Sequence, residues 1–246
     1  MPGNAAGMID LHCHLFPGID DGPTTLAKAL EMARFAVAEG IVRSVVTPHL
    51  HVGRWDNDRA RIEAAASAFR AALAEAGIEL DIGFAAEVRA DYAILQLIEE
   101  DRVPFLGVLD GQRVMLLEFP HGSVPVGSEK LVDWLLAHGV RPMIAHPERN
   151  KDIMRDPPRL EAFVGAGCLV QLTADALDGG FGERTRECAV EFLERGWVSV
   201  LATDGHDCEA RPPRISRGLA VARSVVGDAA AQEMVQGLPS RIVGGA

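Results

Sequence analysis

Residues 8–14 have the sequence Met-Ile-Asp-Leu-His-Cys-His, a short apolar run that ends in two histidines. An apolar run of this length, followed by polar residues, is typical of a buried β-strand. Because side chains alternate across a strand, His12 and His14 point to the same face and can hold one ion together. The stretch therefore predicts a strand that carries a metal-binding pair at its end.

Short apolar runs of the same kind alternate with longer amphipathic segments along the rest of the chain. The predicted strands span 8–12, 41–46, 80–88, 114–119, 142–145, 168–172 and 197–202, and the predicted helices span 24–39, 57–76, 91–100, 129–138, 159–166, 183–195, 216–226 and 228–236. Apolar strands that alternate with helices favour a parallel sheet covered by helices. We therefore expect an α/β fold in a single domain, namely a distorted TIM-like (β/α)7 barrel, with an open doubly wound sheet as the alternative.

Length, charge and cysteine content narrow the class of protein. A chain of 246 residues that is 48% hydrophobic can bury one large core, and no composition break divides it. A net charge of -11 argues against non-specific nucleic-acid binding, which needs a basic surface. No C-x-x-C pair is present, and no apolar stretch approaches the ~20 residues that span a bilayer. We expect a cytoplasmic protein without membrane insertion, with 1–7 as a loose extension and 8–246 as the domain.

Residue types that bind metals fall where the predicted strands end. The set comprises His12, His14, His49, Glu87, Glu118, His146, Asp204 and His206. In a β/α barrel the carboxyl ends of the strands converge on one face, where active sites are built. Imidazoles and carboxylates together suit divalent ions such as Mn, Fe or Zn. Eight such residues at successive strand ends are hard to explain as ordinary buried polar groups, so we predict a metal centre.

Three other histidines fit the pattern less well. His138 precedes Gly139 at a predicted helix end, where a cation favours the helix dipole, and we interpret it as structural. His121 lies in a loop after the fourth strand, which favours a surface histidine over a substrate contact. His51 is open to either interpretation.

Cys208 and Arg214 have the C-x5-R spacing of cysteine phosphatases. That loop binds phosphate through successive backbone N–H groups. Pro212 and Pro213 remove two of those donors, and no glycine permits the tight turn. We therefore reject a cysteine mechanism.

On these residues the chain resembles the PHP (polymerase and histidinol phosphatase) superfamily, and more closely the bacterial capsule-biosynthesis tyrosine phosphatases of the CpsB/CapC type. The resemblance extends from about Met8 to Val243. Its segments are Met8–His14, Gly18–Gly22, Thr47–His49, Ala86–Arg89, Leu117–Pro120, Ile144–Arg149, Gln171–Ala174, Phe181–Gly182, Thr203–His206 and Arg211–Pro213. The I-D-D-G, H-P-E-R and R-P-P segments, in this order, are the most specific.

The resemblance implies a distorted barrel, the PHP fold, with three divalent ions, most often manganese. It implies hydrolysis of phosphotyrosine on the Tyr-rich tail of a bacterial tyrosine autokinase, in capsule and exopolysaccharide regulation. The implied metal ligands are His12, His14, Asp21, His49, Glu87, Glu118, His146, Asp204 and His206. Arg149 and Arg211 match positions suited to holding the phosphate. Leu50 follows His49 where members often have a second basic residue, so His51 is a candidate substitute.

The chemistry expected of such a centre is direct hydrolysis without a phosphoenzyme. Divalent ions lower the pKa of bound water, and Arg149 and Arg211 stabilise charge on the phosphoryl oxygens. Either Asp204 or His206 can assist the leaving group.

Three alternatives to a tyrosine phosphatase stay open from the sequence. The first is a phosphomonoesterase for a small substrate, such as histidinol phosphate or a nucleotide. The second is a metal-dependent amidohydrolase, although Lys28, Lys130 and Lys151 all lie away from strand ends, which argues against the lysine-bridged type. The third is a non-catalytic binding module that keeps the metals for stability.

Overall fold

The structure, a computed structural model, describes residues 7–244. The predicted N-terminal extension lies outside the described residues, apart from Gly7. The strands are β1 Met8–Cys13, β2 Ile41–Val46, β3 His49–Leu50, β4 Asp81–Phe84, β5 Glu87–Arg89, β6 Gly107–Leu109, β7 Gln112–Glu118, β8 Val140–Ala145, β9 Leu169–Thr173 and β10 Val200–Ala202. The helices are α1 Leu26–Ala38, α2 Arg59–Glu75, α3 Ala93–Glu99, α4 Ser128–Ala137, α5 Lys151–Arg155, α6 Pro158–Gly165, α7 Ala174–Leu177, α8 Glu183–Glu194, α9 Ser216–Val226, α10 Asp228–Gln232 and α11 Leu238–Gly244. Short 3-10 and π turns cover Pro147–Arg149 and Glu233–Gly237.

The strands form two sheets that are almost entirely parallel. One sheet has the order β1-β2-β4, and the other has the order β10-β9-β8-β7-β5-β3, with β6 added antiparallel to β7. Helices connect most of the parallel strands, as a parallel sheet requires. The prediction of a single α/β domain with parallel strands is therefore confirmed.

The finer prediction of a distorted TIM-like (β/α)7 barrel is not confirmed, because the described part of the chain does not form a closed barrel. The predicted strand 80–88 is two strands, β4 and β5, which belong to different sheets. The ladder also changes sheet between β2 and β3, where Pro48 has no N–H to donate. These breaks leave two sheets with edges instead of one continuous ring.

Backbone hydrogen bonds nevertheless bring the edge strand β1 against the segment that follows β10. Asp204 N donates to His12 O over 2.7 Å, and His14 N donates to Gly205 O over 2.9 Å. A Cβ atom at Gly205 would lie 2.9 Å from the Cα atom of Pro213, so only glycine fits against that backbone. The first and last strand ends therefore meet although no ladder joins β1 to β10.

The core has two parts because the central strands are buried on both faces. On β7, Met115 and Leu117 pack into the larger apolar cluster under the helices, while Val114 and Leu116 pack into a smaller apolar cluster on the other face. Side-chain alternation places Glu118, the last residue of β7, on the same side as Val114 and Leu116. This smaller apolar cluster thus lies beneath the polar strand ends.

Candidate metal centre

The carboxyl ends of the strands surround a cavity of about 180 Å³. Its walls are formed by Asp21, His49, Arg54, Trp55, Glu87, Arg89, Glu118, His121, His146, Arg149, Asp204, His206 and Arg211. The fully buried His12 and His14 are in direct contact with two of these residues, Glu87 and Asp204. The structure therefore brings every predicted site residue to one place.

Glu87, the first residue of β5, lies at the centre of four imidazoles. Its Oε2 atom is 2.8 Å from Nδ1 of His49 and 3.4 Å from Nε2 of His12. The same oxygen is 3.5 Å from Nε2 of His14, and Oε1 is 2.7 Å from Nε2 of His146. One carboxylate thus faces four ring nitrogens from three strand ends, those of β1, β3 and β8, which suits a group that bridges ions.

Asp204, which follows β10, approaches the same histidines from the opposite side. Its Oδ1 atom is 3.2 Å from Nε2 of His12 and 3.4 Å from Nε2 of His14. Its Oδ2 atom accepts a hydrogen bond from Nη1 of Arg149 at 2.6 Å, and a second one from Nη2 of Arg211. Asp204 therefore joins the histidine pair to the two arginines expected to hold phosphate.

Asp21 closes the outer side of the cavity. Its Oδ1 atom is 3.3 Å from Nε2 of His49 and 3.3 Å from Nε2 of His206. The ring of His206 also lies 3.8 Å from that of His14, centroid to centroid. The D-x-H pair of the last strand end thus meets the H-x-H pair of the first, as the sequence predicts.

The potential ligands within residues 7–244 form four overlapping groups. Inside each group, three or more ligand atoms lie within 4.8 Å of one another. They are His14-Asp21-His49-His206, His12-His14-Glu87, His12-His146-Asp204 and His49-Glu87-Glu118. All nine predicted ligands belong to at least one group, and several belong to two. Shared ligands of this kind are suited to a cluster of ions, not to one isolated ion.

Hydrogen bonds behind the rings orient three of the histidines. The Nδ1 atom of His12 is 2.9 Å from Oε1 of Gln171, and that of His14 is 2.7 Å from Oδ2 of Asp20. The Nδ1 atom of His206 is 2.9 Å from the backbone oxygen of Asp204. Because carbonyl and carboxylate oxygens only accept, each Nδ1 carries the proton and each Nε2 presents a lone pair to the cavity.

Sequence reasoning did not predict these orienting residues. Asp20 and Gln171 both occur in segments that support the family resemblance, I-D-D-G and Q-L-T-A. Trp55, also missed, stacks on His49 with centroids 4.6 Å apart. The available signal for these residues was that each lies near a predicted ligand in the chain or within a matched segment. Their roles depend on tertiary contacts.

The backbone is left-handed at two of the proposed ligands. His146 has φ 33° and Asp204 has φ 50°, directly after β8 and β10. This conformation costs of order 1–3 kcal/mol for a residue with a side chain and persists where surrounding structure enforces it. It turns the chain sharply at the strand end, so that each side chain is directed at the cavity.

Burial and charge together shift the pKa values of the site. Burial lowers the pKa of His49, but the charge of Glu87 and the hydrogen bonds to Asp21 and Glu87 together outweigh burial and raise that pKa to about 9. Burial and the charge of Glu87 raise the pKa of Glu118 to about 7. Burial and the nearby Arg149 lower the pKa of His146 to about 3, so this imidazole is neutral. These shifts describe a buried site with more negative charge than its neighbours compensate.

The residues present fit divalent cations. Within residues 7–244, Oε2 of Glu87 and Nε2 of His206 are buried and make no hydrogen bond of normal geometry. A buried carboxylate oxygen without a hydrogen bond is costly unless a cation compensates it. The donors are oxygen and imidazole nitrogen, the set that suits Mn, Fe or Zn.

Other sequence-predicted histidines divide between the cavity and the surface. His121 is exposed in the loop after β7, as expected, and it also forms part of the cavity wall, with its ring 5.4 Å from that of His146, centroid to centroid. His51 forms a backbone bridge with Trp55 and does not line the cavity. His138 stacks on Trp134 at the end of α4, which agrees with a structural role.

Cys208 does not form a phosphate-binding loop. Burial raises the pKa of its thiol. Arg214, the other end of the C-x5-R motif, lies over the ring of Phe35 at 5.4 Å and near Glu39. The two ends of the motif therefore do not form a site, and the rejection of a cysteine mechanism agrees with the geometry.

No helix within residues 7–244 has the length and apolar character that crossing a bilayer requires.

Comparison with known proteins identifies relatives over most of the chain. Residues 8–244 match the family model for capsular polysaccharide synthesis, CpsB/CapC. The tyrosine-protein phosphatase YwqE of Bacillus subtilis is 34% identical over 210 residues, which cover 83% of this chain and 79% of YwqE. The putative tyrosine-protein phosphatase CapC of Staphylococcus aureus is 30% identical over 207 residues, which cover 83% of this chain and 79% of CapC.

A solved structure from work on YwqE of Bacillus subtilis and CpsB of Streptococcus pneumoniae, described as unique metal-dependent tyrosine phosphatases, has the same fold. It matches with a TM-score of 0.90 and 30% identity, over 97% of this chain and 95% of that one. The resemblance found in the sequence is thereby confirmed. On a family match over almost its full length, this chain belongs to the CpsB/CapC family.

Proposed function

We propose that this protein is a metal-dependent tyrosine-protein phosphatase that hydrolyses phosphotyrosine without a covalent intermediate. The observation that carries the proposal is the meeting of nine ligand side chains in overlapping groups beside two buried or half-buried arginines. Relatives with the family's fold are named as tyrosine-protein phosphatases, which supports the same reaction here.

The proposed centre holds three divalent ions, with manganese as the first candidate and iron or zinc as alternatives. Glu87 would supply carboxylate oxygens to neighbouring ions, each histidine would supply one ring nitrogen, and Asp21, Glu118 and Asp204 would complete the ligand set. When bound, such ions lower the pKa of water and neutralise charge on a phosphoryl group.

Arg149 and Arg211 hold the phosphoryl group in this proposal. Each donates to Asp204 through one terminal nitrogen, which fixes the guanidinium at the cavity wall. In the described part of the chain, the Nε atoms of both arginines are buried without a hydrogen-bond partner. Both arginines also line the cavity, so their other N–H groups can bind phosphoryl oxygens. Charge-assisted bonds of this kind strengthen as negative charge develops.

Asp204 has a positioning role in addition to its predicted ligand role. Burial alone raises the pKa of its carboxyl group, but Arg149, His12 and Arg211 outweigh burial and hold that pKa well below its usual range. The phenolic leaving group has a pKa of about 10 and needs little protonation. Assistance of the leaving group by Asp204 or His206 stays a prediction.

We also propose a physiological setting for the reaction. The four cysteines are all unpaired, which supports a reducing cytoplasm. The substrate is a phosphotyrosine protein, and we propose the Tyr-rich tail of a bacterial tyrosine kinase in capsule or exopolysaccharide regulation. We further propose that residues 8–246 form one PHP-type domain, in support of which the family model matches residues 8–244.

Metal analysis combined with phosphatase assays tests the proposal. The wild type should contain about three divalent ions per chain, hydrolyse a phosphotyrosine peptide, and lose activity with a chelator. His12→Ala should lose both metal and turnover, and His138→Ala, which replaces an exposed histidine, should keep both. Full activity of the chelated enzyme would refute a metal mechanism. Faster hydrolysis of histidinol phosphate or a nucleotide would replace the proposed substrate and keep the centre.

A further inference from the structure

A second cavity, of about 400 Å³, adjoins the metal cavity. The two cavities share His121, Arg149 and Arg211 as walls. The remaining walls of the second cavity are Lys151, Met154, Phe181 and Thr185. A phosphoryl group held by Arg149 and Arg211 therefore lies at the entrance to this second space.

The second cavity has an apolar wall, in contrast to the metal cavity. Phe181, on the loop between α7 and α8, and Met154, on α5, are both half-buried and face the space. The guanidinium of Arg149 lies 4.8 Å from the centre of the Phe181 ring. Arg184 of α8 donates to the backbone oxygen of Met154 at 2.9 Å, which ties the two sides of the wall together.

The cavity on the opposite side of the metal centre has a different character. It measures about 500 Å³, and in its wall the carboxylates of Glu31, Asp207 and Glu209 outnumber the one ammonium group, that of Lys28. A doubly charged phosphate monoester is repelled by such a wall, whereas the arginine-bordered cavity attracts it. Charge therefore favours the side of Phe181 for the group attached to the phosphate.

We propose that the second cavity, the ring pocket, binds the aromatic ring of phosphotyrosine, and that Phe181 discriminates aryl from alkyl phosphates. The inference rests on the proposed function and names the residue that sets its substrate specificity. In a phosphotyrosine the ring is bonded directly to the bridging oxygen, so a phosphoryl group at Arg149 and Arg211 places the ring against the adjoining wall. A phosphoserine has only a methylene at that point and leaves the apolar wall without a partner.

Non-hydrolysable phosphonates test the ring pocket apart from turnover. Calorimetry on the metal-loaded enzyme should show phenylphosphonate binding at least about tenfold tighter than methylphosphonate, because a ring buries apolar area on Phe181. Phe181→Ala should remove most of that preference and leave methylphosphonate binding within about twofold of wild type. Phe181→Tyr keeps an aromatic ring and should keep the preference. Phe181→Leu removes less apolar surface than Phe181→Ala, so it should give an intermediate preference for phenylphosphonate.

Phe105→Ala is the matched control. Phe105 is also half-buried, with the guanidinium of Arg113 4.5 Å from its ring centre, and it precedes β6 near the amino end of β7. This variant should keep the wild-type preference for phenylphosphonate. For a phosphotyrosine peptide, Phe181→Ala should raise KM about tenfold with a smaller change in kcat.

An unchanged phenyl-to-methyl ratio in Phe181→Ala would overturn the ring pocket. A parallel loss of both ligands would also overturn it, since Phe181 would then serve only to hold Arg149. If the metal-loaded wild type binds phenylphosphonate selectively but hydrolyses no phosphotyrosine, the proposed function fails and the ring pocket stands. If it hydrolyses phosphotyrosine without that selectivity, the ring pocket fails and the function stands.

Discussion

The metal site has an inner and an outer part that differ in how their side chains are held. The inner cluster comprises His12, His14, Glu87, Glu118, His146 and Asp204, and the outer cluster comprises Asp21, His49 and His206. In the inner cluster the side chains of Glu87 and Asp204 are each 1% exposed, whereas the side chain of Asp21 is 45% exposed. The inner cluster is thus enclosed by protein, and the outer cluster borders solvent.

The two clusters also differ in their supporting contacts. Gln171 and Asp20 bind the rear nitrogens of His12 and His14, and two arginines bind Asp204. In the outer cluster, His206 has one such bond, to the backbone oxygen of Asp204. The carboxylate of Asp21, by contrast, is within ion-pair distance only of His49 and His206 among the described residues. Support from behind fixes ligand geometry, so we expect the inner cluster to hold ions more tightly than the outer one.

The largest effect is expected from the inner Glu87→Gln substitution. Removing this charge leaves four imidazoles without the carboxylate that they share, so bound metal should fall and kcat/KM should drop about a thousandfold. Elemental analysis and peptide assays measure the two quantities. Glu63→Gln, on the exposed face of α2, is the control. Retention of all metal by Glu87→Gln would show that this residue is not the centre of the cluster.

A smaller loss is expected from the outer Asp21→Asn substitution. The amide keeps an oxygen but loses the charge, so one ion should be lost while the inner ions remain, and kcat/KM should fall about a hundredfold. Metal titration of the variant should show that excess manganese restores part of the activity. Loss of all ions together would contradict a separation between the inner and outer clusters.

Gln171→Leu tests the support behind the inner cluster. The leucine cannot accept the Nδ1 proton of His12, so the ring is free to rotate and metal affinity should fall about tenfold. Gln171→Glu retains an acceptor at this position and should bind metal more tightly than Gln171→Leu. Measured dissociation constants decide between them, and equal constants for all three proteins would exclude a positioning role for Gln171.

No effect is expected from Cys208→Ser, which alters a residue beside the outer cluster without altering a ligand. The thiol has a pKa raised by burial, and its motif partner Arg214 contacts α1 instead of the metal cavity. Turnover should stay within about twofold of wild type, and iodoacetamide should not inhibit. Inactivation of wild type but not of Cys208→Ser by iodoacetamide would revive a role for this thiol.

Local sequence patterns predicted most of the elements, and the residues predicted as ligands lie together in the structure. The helix expected over 216–226 is present with those bounds, and Thr25 caps α1 by accepting from the backbone N–H of Lys28. The single strand predicted over 80–88 is two strands in different sheets. Alternation of apolar residues does not reveal that the strand breaks and changes sheet at Ala85 and Ala86. Periodicity reports burial on one face and carries no information about which strand lies alongside.

The sequence by itself determined the α/β order of elements and placed histidines and acids at the strand ends, because both depend on neighbours a few positions away. Only the tertiary structure decided that β1 and the segment after β10 meet without a closed barrel. It also decided that Gln171 orients His12 and that His121 reaches the cavity. Those contacts join residues far apart in the chain, and they form only when the packing of the whole domain brings the strand ends together.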